Sequence, residues 1–464
     1  MIRAGTLRRG GRQEVNMTQG NIAGHLLRFA FPLLLGNIFQ QLYNMVDTWV
    51  VGNYVSNEAF SAVGSVGPII NTLIGFFLGL SAGTGVVISQ NYGAKRYDKV
   101  HDTVHTAFLM TLVLGVVFTA AGILMVPFAL ELMNTPEEVI PESTTYLTIY
   151  FAGVIGLMIY NIGAGILRAI GDSRRPFYYL VVSAIINTVL DLYFVLECSM
   201  GVEGVALATI IAQGVSALLV VLELLRTQTC VRLRFRDLKI NREMLSKIFK
   251  VGLPSGIQFA ITSFSNVFVQ SYVNYFGPDC MSGWTAYAKV DQLILLPMQS
   301  LALASTTFVG QNLGVNNHER AHRGARTALF MSMGTMLVLM VPVMLFAGEL
   351  TAFFNDEPAV VEYGTLLLRW LTPFYSLCCI NQIYAGALRG AGDSRAPTVI
   401  MLCSFVLFRQ AYLYVMANFI CNEILPIAMG YPAGWLLCSI ITLIYYKIKG
   451  FTGNSIADRA EKMA

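Results

Sequence analysis

The stretch Ala164–Pro176, AGILRAIGDSRRP, returns as Ala385–Pro397, AGALRGAGDSRAP, with nine of thirteen positions identical at an offset of 221 residues. Gln90-Asn91-Tyr92-Gly93 returns at the same offset as Gln311-Asn312-Leu313-Gly314, and FPLLLGN, through Pro32, is weakly echoed by LPSGIQF, through Pro254. A repeat of this length marks two copies of one folding unit. Outward from the repeat, each copy holds six apolar runs, near 26–51, 57–90, 102–126, 144–168, 177–197 and 203–225, then 249–276, 281–311, 327–347, 364–388, 397–420 and 423–446. About 20 apolar residues span a bilayer core. An even number of spans between copies leaves both in the same orientation, the parallel-repeat plan that places a cavity between two halves.

Composition agrees. Of 464 residues, 55% are hydrophobic and 12% charged, against roughly 25% charged in a soluble domain. The expected fold is therefore an all-α integral membrane protein of twelve transmembrane helices in two parallel six-helix bundles. Its divisions are a cytosolic tail 1–25, a lobe 26–225, a basic linker 226–248, a second lobe 249–446 and a cytosolic tail 447–464. No room remains for a separate catalytic domain, and no nucleophile elbow or HExxH motif occurs, so an enzyme is not expected. A net charge of +4 is too small for a nucleic-acid binder.

Charge placement sets the topology. With the amino terminus inside, 28 of the 31 lysines and arginines fall on inner segments. The other three, Lys289, Arg369 and Arg409, lie within runs, while the outer loops hold acids such as Glu131, Glu137, Glu349 and Asp356. Both termini are thus expected in the cytoplasm, with the chain in the cell membrane. Residues 1–20 lack a signal-peptide apolar core, and Met17, directly before TQGN and the first run, is the expected native start. The linker alternates Val231, Leu233, Phe235 and Leu238 with arginines and is expected to lie on anionic inner-leaflet lipid.

Acids inside a span cost about 2.5–3.5 kcal/mol each and call for a reason. Counted inward from the outer boundary, Asp47 lies about 7 Å deep, and Asp191 and Thr209 about 9 Å. Asn187 shares a helix face with Asp191 four residues on. Two acids, an amide and a hydroxyl at one level suit Na+ through hard oxygen ligands, or one proton shared between carboxyls. The plainer alternative is that these groups cap loops at a wet interface.

Other polar groups carry plainer readings. Asp291 and Arg409 are expected to form a structural ion pair near the midplane; Lys289, two residues from Asp291, is off that face. His101/His105 and His318/His322 have metal-ligand spacing but no third ligand in view, and read as solvated helix faces. The eight cysteines lack CxxC pairs and read as small core residues. GLSAGTG in the second run lacks the strand of a phosphate loop. The repeated LRxxGDSRxP reads as a tight turn between helices, with arginines able to hold inner-leaflet phosphates or helix C-termini.

The chain resembles the multidrug and toxic compound extrusion (MATE) transporters over nearly its whole length. Met45-Val46-Asp47-Thr48, Gln90-Asn91, Leu167-Arg168-Ala169-Ile170-Gly171-Asp172, Asn187-x-x-x-Asp191 and Ala208-Thr209 carry the resemblance. It implies secondary antiport, in which entering Na+ or H+ drives out amphipathic, often cationic, drugs and toxic compounds, with no cofactor. It also implies that Asp47, Asn187, Asp191 and Thr209 form the ion-coupling site. Members with a second cation site in the carboxy-terminal lobe carry Glu and Asp where this chain has Thr262 and Cys378, so the resemblance is to the DinF-like branch. Pro32 is a candidate hinge in the first helix. The protein is expected to act as a monomer on small amphipathic molecules. The alternative reading is a flippase for lipid-linked saccharides or cell-wall precursors, whose polyanionic cargo calls for several deep arginines; here only Arg409 is deep.

Overall fold

A computed structural model describes residues 16–55, 57–132, 135 and 137–451. The expected tails therefore lie largely outside the described residues, as do Arg3, Arg8, Arg9, Arg12, Arg459 and Lys462.

The described residues are helical with no strand. The first lobe comprises α1 (Ile22–Tyr54), α2 (Asn57–Gly93), α3 (Tyr97–Leu132), α4 (Ile140–Ala169), α5 (Arg174–Leu192) and α6 (Val202–Arg226). The second begins with α7 (Arg242–Asn274), α8 (Pro278–Gly314) and α9 (His318–Leu345), then a short α10 (Ala347–Ala352). Its last three crossings are segmented. One joins α11 (Pro358–Leu371) to α12 (Tyr375–Gly390) through a 3-10 turn at Thr372–Phe374, where Pro373 lacks an amide hydrogen. The next joins α13 (Arg395–Leu402) to α14 (Arg409–Val415) through a π-helical turn at Cys403–Phe408, and a second π-helical turn, Met416–Ile420, follows α14. The last is α15 (Ile424–Ala428) followed by α16 (Gly430–Lys449). Among the described residues, ten stretches are long and apolar enough to cross a membrane. Of the twelve crossings, α7 is diluted by polar residues such as Gln258, Ser265 and Asn266, and α11–α12 is divided by the proline break.

Several expectations are corrected. α7 begins at Arg242, inside the stretch expected as linker, because the Asn241 side chain accepts from Glu243 N and Met244 N and caps it. The linker's Val231 and Leu233 are buried in the first lobe instead of resting on lipid, and Leu233 N donates to Leu224 O at 2.8 Å. Arg234 N donates to His105 Nε2 at 3.0 Å, which places that histidine in the interior and not on a solvated face. His322 is likewise half-buried, bonded to the Tyr446 hydroxyl and stacked on Phe451. Of the cysteines, Cys280, Cys378, Cys379 and Cys438 are buried, whereas Cys198 and Cys403 are exposed.

The repeated turn adopts one conformation in both lobes. Gly171 and Gly392 have φ of +93° and +89°, a region open to glycine without a Cβ penalty. In each, the following aspartate's N–H returns to the helix, Asp172 to Leu167 O and Asp393 to Leu388 O. Asp172 Oδ1 then accepts from Arg174 N and Arg175 N at the start of α5, as Asp393 Oδ1 accepts from Ala396 N at α13. Arg389 is buried in protein, so it does not face lipid phosphate.

The lobes meet along α2, α7 and α8. A Cβ on Gly79 would lie 2.2 Å from Gly256 N, so the two backbones touch there. One turn further out the Gly75 position is 2.9 Å from Phe259 Cβ, and a Cβ at Gly67 would meet nothing within 4 Å. The close contacts between the lobes thus run from Gly93 and Gly314 at the basic end, bearing the repeated turns, to Gly75.

Candidate functional site

α1 packs on α5 and α5 on α6, the three helices that carry the four sequence-derived residues. Asp47 is 8% exposed, Asp191 0%, and Asn187 and Thr209 are also buried. The Asp47 and Asp191 carboxyls come near enough across the α1–α5 contact to perturb one another. Asp47 Oδ1, both Asp191 carboxyl oxygens and both Asn187 amide atoms are buried without a hydrogen-bond partner. Buried polar atoms are nearly always partnered, so five orphans in one cluster mark a built site. Thr209 Oγ1 donates to Val205 O at 3.0 Å, leaving its lone pairs for a cation.

Sequence reading missed the tyrosines around the acids. Tyr146 on α4 stands close enough to feel both carboxylates, and Tyr43 on α1 close enough to feel Asp47. Tyr146 stacks on Tyr150 one turn away, with ring centroids 6.3 Å apart. The i, i+4 spacing of Tyr146 and Tyr150 was the available signal, but nothing in the chain ties α4 to that depth.

At the basic end the lobes are latched reciprocally. Gln90 Nε2 donates to Gly390 O at 2.8 Å, and its repeat mate Gln311 donates through Nε2 to Ala169 O at 2.9 Å. Each reaches the last helical turn before the other lobe's GDS turn. Glycine is required beside them, since a Cβ on Gly93 would lie 2.0 Å from Gln311 O and one on Gly314 2.2 Å from Gln90 O. Met17, fully buried, donates its N–H to Gln311 Oε1, and its carbonyl accepts from Asn312 and Arg320.

Two expectations about the remaining polar groups fail. Asp291 and Arg409 do not pair. The Asp291 carboxylate accepts from the Tyr287 and Tyr375 hydroxyls. Arg409 Nη2 donates to Ser265 Oγ and Asn266 Oδ1, and its guanidinium lies 4.6 Å from the Tyr431 ring centre. Aromatic side chains occupy the gap that an ion pair would need. Lys289 is exposed. A third potential ligand, Asp237, does come to His101 and His105, with ligand atoms within 4.8 Å of one another. His105 nevertheless uses Nδ1 on His101 O and Nε2 on Arg234 N, so neither nitrogen is free for a metal.

The duplicated helical plan with its long apolar helices defines a multi-pass membrane protein. The MatE family profile matches residues 32–193 and 254–415, and the chain belongs to this family of multi-pass transporters. Its relatives include the probable multidrug resistance protein YpnP of Bacillus subtilis, 30% identical over 93% of this chain and 96% of that protein. The probable multidrug resistance protein NorM of Thermotoga maritima is 24% identical over 92% of each. A solved outward-facing multidrug resistance MATE transporter matches with a TM-score of 0.88 at 23% identity, covering 98% of this chain and 100% of that one.

Proposed function

We propose that this chain is a secondary antiporter that exports amphipathic small molecules, including drugs, across the cell membrane in exchange for Na+ or H+ taken up at Asp47 and Asp191. The observation that carries the reading is the meeting of two buried carboxyls among five unpartnered polar atoms. Two adjacent buried carboxylates repel, and a cation or proton between them removes most of that cost.

The basic, latched end is the cytosolic side in this reading, and both termini lie there. In the outward-open arrangement the ion enters from outside and neutralises the pair, which lets α1 and α5 approach. Pro32, buried within α1, removes one backbone hydrogen bond and supplies the hinge. Closure of the cleft, with release of the Gln90 and Gln311 latches, exposes the cargo site to the cytosol. The ion stabilises one of two arrangements, and the shift reaches only as far as its preference for that one. One charge moving inward through 100 mV contributes about 2.3 kcal/mol, roughly fifty-fold in cargo gradient. The protein works as a monomer and needs no cofactor; names of the relatives support drugs as cargo.

Everted vesicles separate the possibilities. Dye accumulation driven by an imposed Na+ gradient or by an imposed pH gradient supports the reading and identifies the ion. No accumulation under either overturns it.

A further inference from the structure

The repeat allows the two lobes to be compared at one depth. The Pro32–Pro254 register carries Asn44 onto Asn266 and Asp47 onto Val269. The GDS-turn register carries Asp191 onto Tyr412 and Thr188 onto Arg409. Where the first lobe buries two acids, the second replaces both with uncharged residues and buries a guanidinium.

Arg409 is 4% exposed. Its hydrogen-bond partners, Ser265 and Asn266, are neutral, Nε is buried without a partner, and it enters no ion pair among the described residues. A buried cation held by neutral dipoles lacks the counter-charge that normally offsets its lost hydration. Asp291, the acid in the same lobe, is engaged by two tyrosines. Arg409 also opens α14 directly after the Cys403–Phe408 π-helical turn, an irregularity often found at functional sites.

The guanidinium is also reachable. Asn266 is exposed and sits seven residues beyond Phe259, hence on the face of α7 that meets α2 at Gly75. Tyr431, under the guanidinium, packs with Trp284 and Trp435 at ring separations of 5.8 and 6.0 Å in the core of the second lobe.

We infer that Arg409, with Asn266 and Ser265, binds the anionic group of an amphipathic cargo, so that the transporter favours zwitterions and organic anions over permanent cations. The inference rests on the antiport reading and names its cargo class. An arginine donating to a carboxylate or sulfonate would give the buried guanidinium the counter-charge it lacks.

The test uses the purified full-length protein and one chromophore in two forms, a rhodamine carrying a free carboxylate and its ethyl ester, with binding read by fluorescence anisotropy. Wild type is expected to bind the carboxylate about tenfold more tightly than the ester, the worth of one charge-assisted hydrogen bond. Arg409→Gln is expected to abolish the preference, and Arg409→Lys to keep part of it. Equal affinities in wild type, or a preference that survives Arg409→Gln, overturn the inference. If Arg409→Gln does not fold, the wild-type comparison still decides. No gradient is involved, so a binding preference without driven transport would sink the antiport reading alone.

Discussion

The two lobes repeat one backbone plan, yet they treat mid-depth charge in opposite ways. In the first, Asp47 and Asp191 are buried near one another, and three of their four carboxyl oxygens have no hydrogen-bond partner. In the second, Val269 and Tyr412 hold the equivalent places and Arg409 supplies the buried charge. At the basic end the symmetry is kept almost atom for atom, through Gln90 on Gly390 and Gln311 on Ala169. Duplication thus preserved the contacts between lobes at the basic end and let the mid-depth residues diverge.

The sharpest way to break this contrast is at the acids. Asp191→Asn and Asp47→Asn should each reduce gradient-driven dye accumulation to that of vesicles without the protein, with unchanged expression. Gradient-driven accumulation at wild-type rates in both variants would remove the coupling role from the first lobe. Thr209→Ala should slow transport by less than tenfold, because its hydroxyl hydrogen already serves Val205 O.

Next in size is the latch. Gly93→Ala and Gly314→Ala each push a methyl into a backbone carbonyl of the opposite lobe, an overpacking worth about 1–3 kcal/mol. Both should slow transport to a similar degree; a loss in one alone would show that the seal is not symmetric in function. Gln90→Ala removes one cross-lobe hydrogen bond, about 1 kcal/mol, or roughly fivefold in the balance between open and closed. Gln311→Ala should cost more, since Gln311 also accepts from Met17 N. Thiol-reagent access to a cysteine placed in the seal measures both.

The smallest effect lies where the lobes are joined in sequence. Glu243 accepts from Lys99 on α3 at 2.8 Å and from Lys247 on α7 at 2.6 Å, which pulls its carboxyl from 4.5 down to about 2. A depressed carboxyl contributes stability above its unfolded value and loses it as pH falls through its folded one. The contribution should therefore be complete above pH 4.5 and fade towards pH 2. Glu243 is half exposed, so solvent screening keeps it small. Wild type and Glu243→Gln should differ slightly in Tm at pH 6 and converge at pH 2.

The sequence by itself determined that this chain crosses a bilayer and that it is a duplicated six-helix unit, and it singled out Asp47, Asn187, Asp191 and Thr209 by their counted depth. Hydrophobic run length, repeat offset and rise per residue are local or one-dimensional quantities, and lipid forces every span to be helical. Tertiary structure decided what lies beside what. It brought Tyr146 to the acids, separated Asp291 from Arg409 by aromatic rings, buried His105 under the linker and turned the repeated glutamines into a reciprocal latch. Those outcomes depend on the azimuth at which helices distant in sequence meet, and a periodic apolar pattern leaves that angle open.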